Sequence, residues 1–152
     1  MANGKYAELM LVLPPSWPLM DDDGFDERRH FWPLRVLKEL ARLPHEFNTA
    51  LGFGHTIPNG DPAQPYGPGT KLCGALIAPM LFAPDGADTI TYGDRSISLF
   101  GVWTLYDEEM RFKLAHGFDA LIDKLDEARV SEIVEVDRAS AVPQRRRGLF
   151  RR

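Results

Sequence analysis

Between Gly52 and Gly74 the chain reads GFGHTIPNGDPAQPYGPGTKLCG, and ten of these 23 residues are Gly or Pro. Proline fixes φ and removes a backbone donor, and glycine weakens regular elements. Neither a long helix nor a central strand can therefore run through the stretch. Its composition is not that of a flexible linker, which is rich in Gly and Ser, because it contains no Ser and no Glu. Between the punctuating residues stand His55, Asn59, Asp61, Tyr66 and Lys71. A loop of this length inside a compact domain is either functional or disordered. Pro58, Pro62, Pro65 and Pro68 each stiffen the path, which favours an ordered surface loop.

The rest of the chain must supply the body that carries this loop. Its 152 residues suit one domain with a substantial core. The single cysteine, Cys73, excludes an internal disulfide framework and leaves stability to packing. No run approaches the roughly 20 apolar residues of a membrane helix. The start, MANGKYAE, lacks a positive region followed by an apolar stretch. A cytoplasmic protein is the default expectation.

Charge is unevenly placed. Arg145, Arg146, Arg147, Arg151 and Arg152 fall in the last eight residues, and without them 13 basic residues face 22 acidic ones, a body of −9. Such a body repels nucleic-acid phosphates, so contact with nucleic acid is expected only weakly, through the arginine tail. The periodicity vanishes after Asp137, and residues 138–152 are expected to form a basic, disordered tail behind a domain of residues 6–137.

In chain order, Tyr6–Leu13 reads as a strand with apolar groups on both faces, hence one covered on both sides. Pro14-Pro15 ends it. Residues 14–25 are turn-rich. A helix starts near Trp32 with Pro33 in its first turn. Leu34, Leu37, Leu40 and Ala41 are expected on its buried face and Arg35, Lys38, Glu39 and Arg42 on its exposed one, with Pro44 as its stop. Residues 46–53 resemble a short strand and residues 72–82 an apolar strand interrupted at Pro79. Residues 88–96 suggest a hairpin arm around Tyr92-Gly93-Asp94, and residues 97–105 a further apolar strand. Gly101 inside it signals a bulge or a close backbone approach.

Thr104 followed three residues later by Asp107 has the spacing of a capped helix start. Asp107, Glu108 and Glu109 suit the positive end of its dipole. Met110, Leu114, Phe118, Leu121, Ile122 and Leu125 supply an apolar face broken at Gly117 into two helices. Residues 131–136 are expected to form a last short strand. The order predicts a single α+β domain, with helices packed on a mixed, mostly antiparallel sheet.

Chemistry-bearing constellations are sparse. His30, His45, His55 and His116 show no metal-ligand spacing, so no metal and no cofactor are expected. Asp21-Asp22-Asp23-Gly24 lacks the alternating ligands and distant Glu of a calcium loop. Arg28, Arg29 and His30 form a small basic cluster that reads as exposed charge near a helix start. Gly52-Phe53-Gly54 opens like a dinucleotide fingerprint, but Pro58 and Pro62 stand where its helix belongs. Cys73 reads as a buried core thiol. His55 with Asp61 is the one pair with enzymatic character, a base oriented by a carboxylate, although His and Asp also serve as turn residues.

Several strings together resemble a known family. They are Tyr6-Ala-Glu-Leu-Met10, Pro14-Pro15-Ser16-Trp17-Pro18, Trp32-Pro33-Leu34-Arg35, Leu43-Pro44-His45-Glu46, Gly54-His-Thr-Ile-Pro-Asn-Gly-Asp-Pro62 and Leu105-Tyr106-Asp-Glu-Glu109-Met110. From about Tyr6 to Val136 the chain is similar to bacterial members of the suppressor of fused family. The resemblance implies a protein-binding domain that is not an enzyme. It also implies that the N-terminal part of the family domain is missing, because bacterial members carry further strands before YAELM and only five residues precede it here. The animal relative clamps a transcription-factor peptide between two lobes. Only the first lobe is similar, so that partner does not carry over.

For bacterial relatives the resemblance implies an immunity protein that neutralises a cognate toxin, and an acidic body suits a basic one. The contact surface is expected to be either the central loop, with His55, Pro58, Asn59, Asp61 and Tyr66 meeting the partner, or an exposed sheet edge. The alternative is a small-molecule-binding or hydrolytic protein using His55 and Asp61.

Overall fold

The computed structural model describes residues 6–142; Arg145–Arg147, Arg151 and Arg152 lie outside them. The elements are β1 (Tyr6–Met10), α1 (Glu27–His30), α2 (Trp32–Glu46), β2 (Thr56–Pro58), β3 (Gly74–Ala78), β4 (Thr89–Tyr92), β5 (Arg95–Leu105), α3 (Asp107–His116) and α4 (Phe118–Glu127). The 11-residue β5 is the spine. Its first half pairs antiparallel with β4 and parallel with β1, and its second half pairs antiparallel with β3. The path across the sheet is β1-β5-β3-β2. This is the mixed, mostly antiparallel α+β architecture that the pattern predicted. The β4–β5 arm turns at Gly93, whose φ of 61° a side chain would strain.

Alternation along β3 and β5 feeds two apolar layers. Ala75, Ile77, Phe100 and Val102 meet Trp32, Val36 and Leu40 of α2 on one face. Leu76, Ala78, Trp103 and Leu105 meet Met110, Leu121 and Leu125 of α3 and α4 on the other. Strands covered on both faces read as continuous apolar runs, as GALIA does here. Burying Leu76 and Ile77 completely contributes about 1.5–3 kcal/mol each. Gly101 marks a close approach: a Cβ there would lie 2.8 Å from the Pro79 carbonyl oxygen, which also accepts from Trp103 Nε1 at 3.0 Å.

Several local expectations are corrected. Among the described residues β1 is an edge strand, with Tyr6–Glu8 exposed. The buried stripe of α2 is Trp32, Val36 and Leu40 at four-residue spacing. Leu34 is 43% exposed and Ala41 also faces outward. Helix α2 does not stop at Pro44 but ends at Glu46. A proline in the last turn forfeits one donor, while Phe47 N still donates to Leu43 O and Thr49 N to Pro44 O. Residues 46–53 are therefore helix end and turn, with Asn48 at φ 46°.

At the start of α3, Thr104 belongs to β5 and is buried. Tyr106 is the N-cap, and Glu109 reaches back to its N–H at 2.9 Å. Leu114 points to solvent at 83% exposure, because α3 buries only Glu109 and Met110. Residues 131–136 make one isolated bridge, Val12 to Ile133. Pro14 and Pro15 lack the N–H groups that would extend it. The chain also stays packed beyond Asp137, with Val142 buried in the second layer.

Candidate functional site

The central loop is ordered by the sheet beneath it. Its one regular piece, β2, pairs antiparallel with β3. Gly54 N donates to Ile77 O, Ile77 N to His55 O and Asn59 N to Cys73 O, at 2.8–2.9 Å. Pro58 sits where an edge strand tolerates a missing donor. Beyond β2 the chain turns at Gly60 (φ 92°) and passes a cis Asp61–Pro62 bond. Asn59 closes this excursion. Its Nδ2 donates to Gln64 O at 2.6 Å and to Pro65 O at 3.3 Å, and its carbonyl accepts from Gln64 N at 2.8 Å.

The far end of the loop is tied to two other elements. Tyr66 stacks on Trp32 with ring centroids 5.0 Å apart, and Arg35 donates to the Tyr66 carbonyl at 2.6 Å. Gly67 passes so close to α1 that a Cβ would lie 2.7 Å from Arg28 O. Thr70 Oγ1 donates to Val136 O at 2.8 Å.

The expected contact residues separate into two groups. His55, Pro58 and Asp61 are exposed, Asn59 is half-buried, and Tyr66 is buried in the α2 layer. Burial first, then the nearby Cys73 and Glu39, holds the Tyr66 phenol above its ordinary range, while Arg35 opposes the shift. Pro58, Asn59 and Tyr66 border a depression of about 190 Å³ against α2, where Leu43, Phe47, Glu39 and Glu46 form the facing wall. Phe47 is 72% exposed. Reading residues 46–53 as a strand hid it, although Leu43 and Phe47 stand four apart, the spacing of one helix face. No ion pair joins His55 to Asp61 among the described residues.

A larger cleft of about 720 Å³ lies across the loop, with Lys71, Cys73, Asp107, Glu108 and Arg138 on its walls. The Cys73 thiol is raised by burial first and then by Asp107 and Glu108, which leaves it a poor nucleophile. Beneath this cleft sits a group that sequence reasoning missed. Glu109, wholly buried, accepts from both terminal nitrogens of Arg138 at 2.6–2.7 Å and from Ala141 N at 2.8 Å. The Arg138 guanidinium also stands over the Tyr106 ring, 4.7 Å from its centroid. No group of three potential metal ligands occurs among the described residues.

The geometry can be set beside known proteins. The family described as "Suppressor of fused protein (SUFU)" matches residues 1–139. This chain belongs to the suppressor of fused family. The suppressor of fused fold recurs in three solved structures. The crystal structure of the Sufu–Fu complex matches at TM-score 0.58 and 15% identity, covering 80% of this chain and 50% of that one. The putative SUFU homolog from Neisseria gonorrhoeae FA 1090 matches at TM-score 0.58 and 22% identity, covering 74% and 58%. Drosophila Suppressor of Fused matches at 0.53 and 16%, covering 71% and 23%. This suppressor of fused chain thus spans little more than half the length of the solved relatives, or less. A comparison with curated protein sequences gives no match. No helix among the described residues is long and apolar enough to cross a membrane.

Proposed function

We infer that this chain is a protein-interaction module whose contact surface is the central loop and the depression beside it. The observation that carries this reading is the Asn59-closed loop: an exposed ridge of His55, Pro58 and Asp61 held rigid on a sheet edge. A ridge ordered before contact loses little entropy on binding. Exposed Phe47 and the adjacent depression supply an apolar anchor site of the kind that dominates interface energies. Glu39 and Glu46 at its wall favour a basic partner. A relative solved as the Sufu–Fu complex supports a protein as the ligand.

The finer reading is an immunity protein that neutralises a basic bacterial toxin, acting in the cytoplasm. His55 and Asp61 serve as contact residues in this reading, not as a catalytic pair. The test is to search the genes beside this one for a toxin-like product and to express it with and without this chain. The two products are expected to co-purify with micromolar or tighter affinity, and cells are expected to survive only when both are present. Absence of both complex and rescue would sink the immunity reading. Loss of affinity in Asn59→Ala, measured well below a melt lowered by about 2–8 °C, would locate the contact at the loop.

A further inference from the structure

The depression of about 190 Å³ between α2 and β2 has apolar walls in Val36, Leu40, Leu43, Ile57 and Pro58. Its backbone donors are already committed. Asn59 N donates to Cys73 O, Gly60 N to Pro58 O and Tyr66 N to Leu72 O, and Pro58 has none. The Asn59 amide group donates to Gln64 O and Pro65 O. What remains on the walls is a set of acceptors. Glu39 and Glu46 stand two turns apart on α2, about 10 Å along its axis. Among the described residues Glu46 makes no ion pair, and Glu39 makes a long one of 3.8 Å to Arg35 Nε. Arg35 Nη2 is held on the Tyr66 carbonyl, and Arg42, exposed on the same helix, pairs with neither glutamate.

Tyr66 is the one buried polar residue on these walls, at 5% exposure. Its Oη makes no hydrogen bond among the described residues, yet it is not sealed from solvent: Glu132 Oε2 is the one fully buried side-chain N or O atom among them without a partner. A hydroxyl so deeply set, unpaired and still reached by solvent opens onto the depression. Glu39 lies near it, because burial first, then Cys73 and Glu39, raise the phenol. We propose that the depression takes one arginine side chain of the partner protein. This rests on the interaction-module reading and names the side chain which that reading leaves open. The aliphatic stem covers Leu43, Ile57 and Pro58. The guanidinium has five donors and no acceptor, which suits Tyr66 Oη and the two carboxylates. A cation midway between Glu39 and Glu46 stands about 5 Å from each, within the range of charge attraction. Phe47, 72% exposed, supplies a ring on which a guanidinium stacks. Lysine has three donors and no plane to stack. An apolar side chain leaves Tyr66 Oη without a partner.

The test titrates the whole chain, at fixed ionic strength, with the acetylated amides of arginine, lysine and citrulline, the last being the neutral isostere of the first. NMR shifts are followed at Leu43, Phe47, Ile57 and Gly60. The arginine probe is expected to saturate them with a Kd on the order of 1–10 mM. The lysine probe is expected to bind about two- to fivefold more weakly, and the citrulline probe not to saturate. Glu46→Gln should weaken the arginine probe about 1.5- to fivefold. Tyr66→Phe, whose melt at pH 7 stays close to that of the parent, should weaken it about two- to tenfold. Equal binding of the arginine and citrulline probes would overturn the proposal. So would signals unmoved by about 100 mM arginine probe, or unchanged affinity in Tyr66→Phe. A toxin-like product whose affinity falls in Asn59→Ala but not in Tyr66→Phe would sink the arginine assignment and leave the loop reading standing. Failure of the loop reading shows separately, as saturation by the arginine probe beside a toxin-like product that neither co-purifies nor is neutralised.

Discussion

Replacing Arg138 by Met is expected to destabilise the fold by about 3–5 kcal/mol, the cost of removing one partner from a buried ion pair. The structure sets the size. Glu109 is fully buried and the Arg138 side chain is 8% exposed. Glu109 accepts from Arg138 twice, from Tyr106 N and from Ala141 N, and Arg138 also donates to Thr104 O at 2.9 Å. Methionine keeps much of the aliphatic bulk but leaves the carboxylate with two backbone donors and no cation. The same helix offers an internal control in Arg111–Asp107, whose side chains are 77% and 43% exposed. Removing Arg111 should cost about 0–1 kcal/mol.

For a chain of this size 1 kcal/mol moves the melting temperature by about 2–4 °C, so Arg138→Met should lower it by about 6–20 °C. Urea unfolding followed by circular dichroism should show a lower midpoint at unchanged slope. The double variant Glu109→Met with Arg138→Met should fall short of additivity by about 0.5–3 kcal/mol. A loss for Arg138→Met no larger than that for Arg111→Met would refute the reasoning that burial makes the Glu109–Arg138 pair costlier to break than an exposed one.

Tyr66→Ala should cost about 3–5 kcal/mol through the lost stack on Trp32, whereas Tyr66→Phe should be nearly neutral at pH 7; equal effects would show that the ring is not packed. Because burial raises the folded-state phenol above its unfolded value near 10, its contribution is complete below about pH 10 and lost as pH rises further. Tyr66→Phe should flatten that alkaline decline in urea midpoints. Asn59→Ala should cost about 1–2 kcal/mol and speed amide exchange at Gln64 and Tyr66; unchanged exchange would mean the side chain does not close the loop. Cys73 should resist a thiol reagent at pH 8 until denaturant is added, since burial and neighbouring carboxylates disfavour the thiolate. Rapid labelling of the native protein would contradict its placement.

Legibility followed the range of the interaction. The long apolar runs 72–82, of which the structure keeps Gly74–Ala78 as strand, and 97–105, the hairpin at Gly93 and the helix break at Gly117 were visible because each is dictated by side-chain alternation or by a local backbone demand. The order of the central loop was visible in its prolines, and its exposed ridge in His55, Pro58 and Asp61. Tyr66 looked equally available, but whether an aromatic in a loop faces water or the core depends on what lies beneath, here Trp32. Phe47 was hidden by the assumption that Pro44 ends a helix, which fails in a last turn where the lost bond is one of few.

Glu109 shows the boundary most clearly. Its position one turn into an acidic helix start is a local fact, and it supported the expectation of a helix there. That it is buried, and that a cation 29 positions away reaches it, is a contact across the fold. By itself the sequence determined the class of architecture, the helix and strand segments with the strongest periodicity, and a stiff loop that no regular element can cross. Only the tertiary structure decided which strand is an edge among the described residues, which loop side chains point outward and that the packed body continues past Asp137 to Val142. Those outcomes depend on neighbours distant in sequence, and neither alternation nor propensity carries that information.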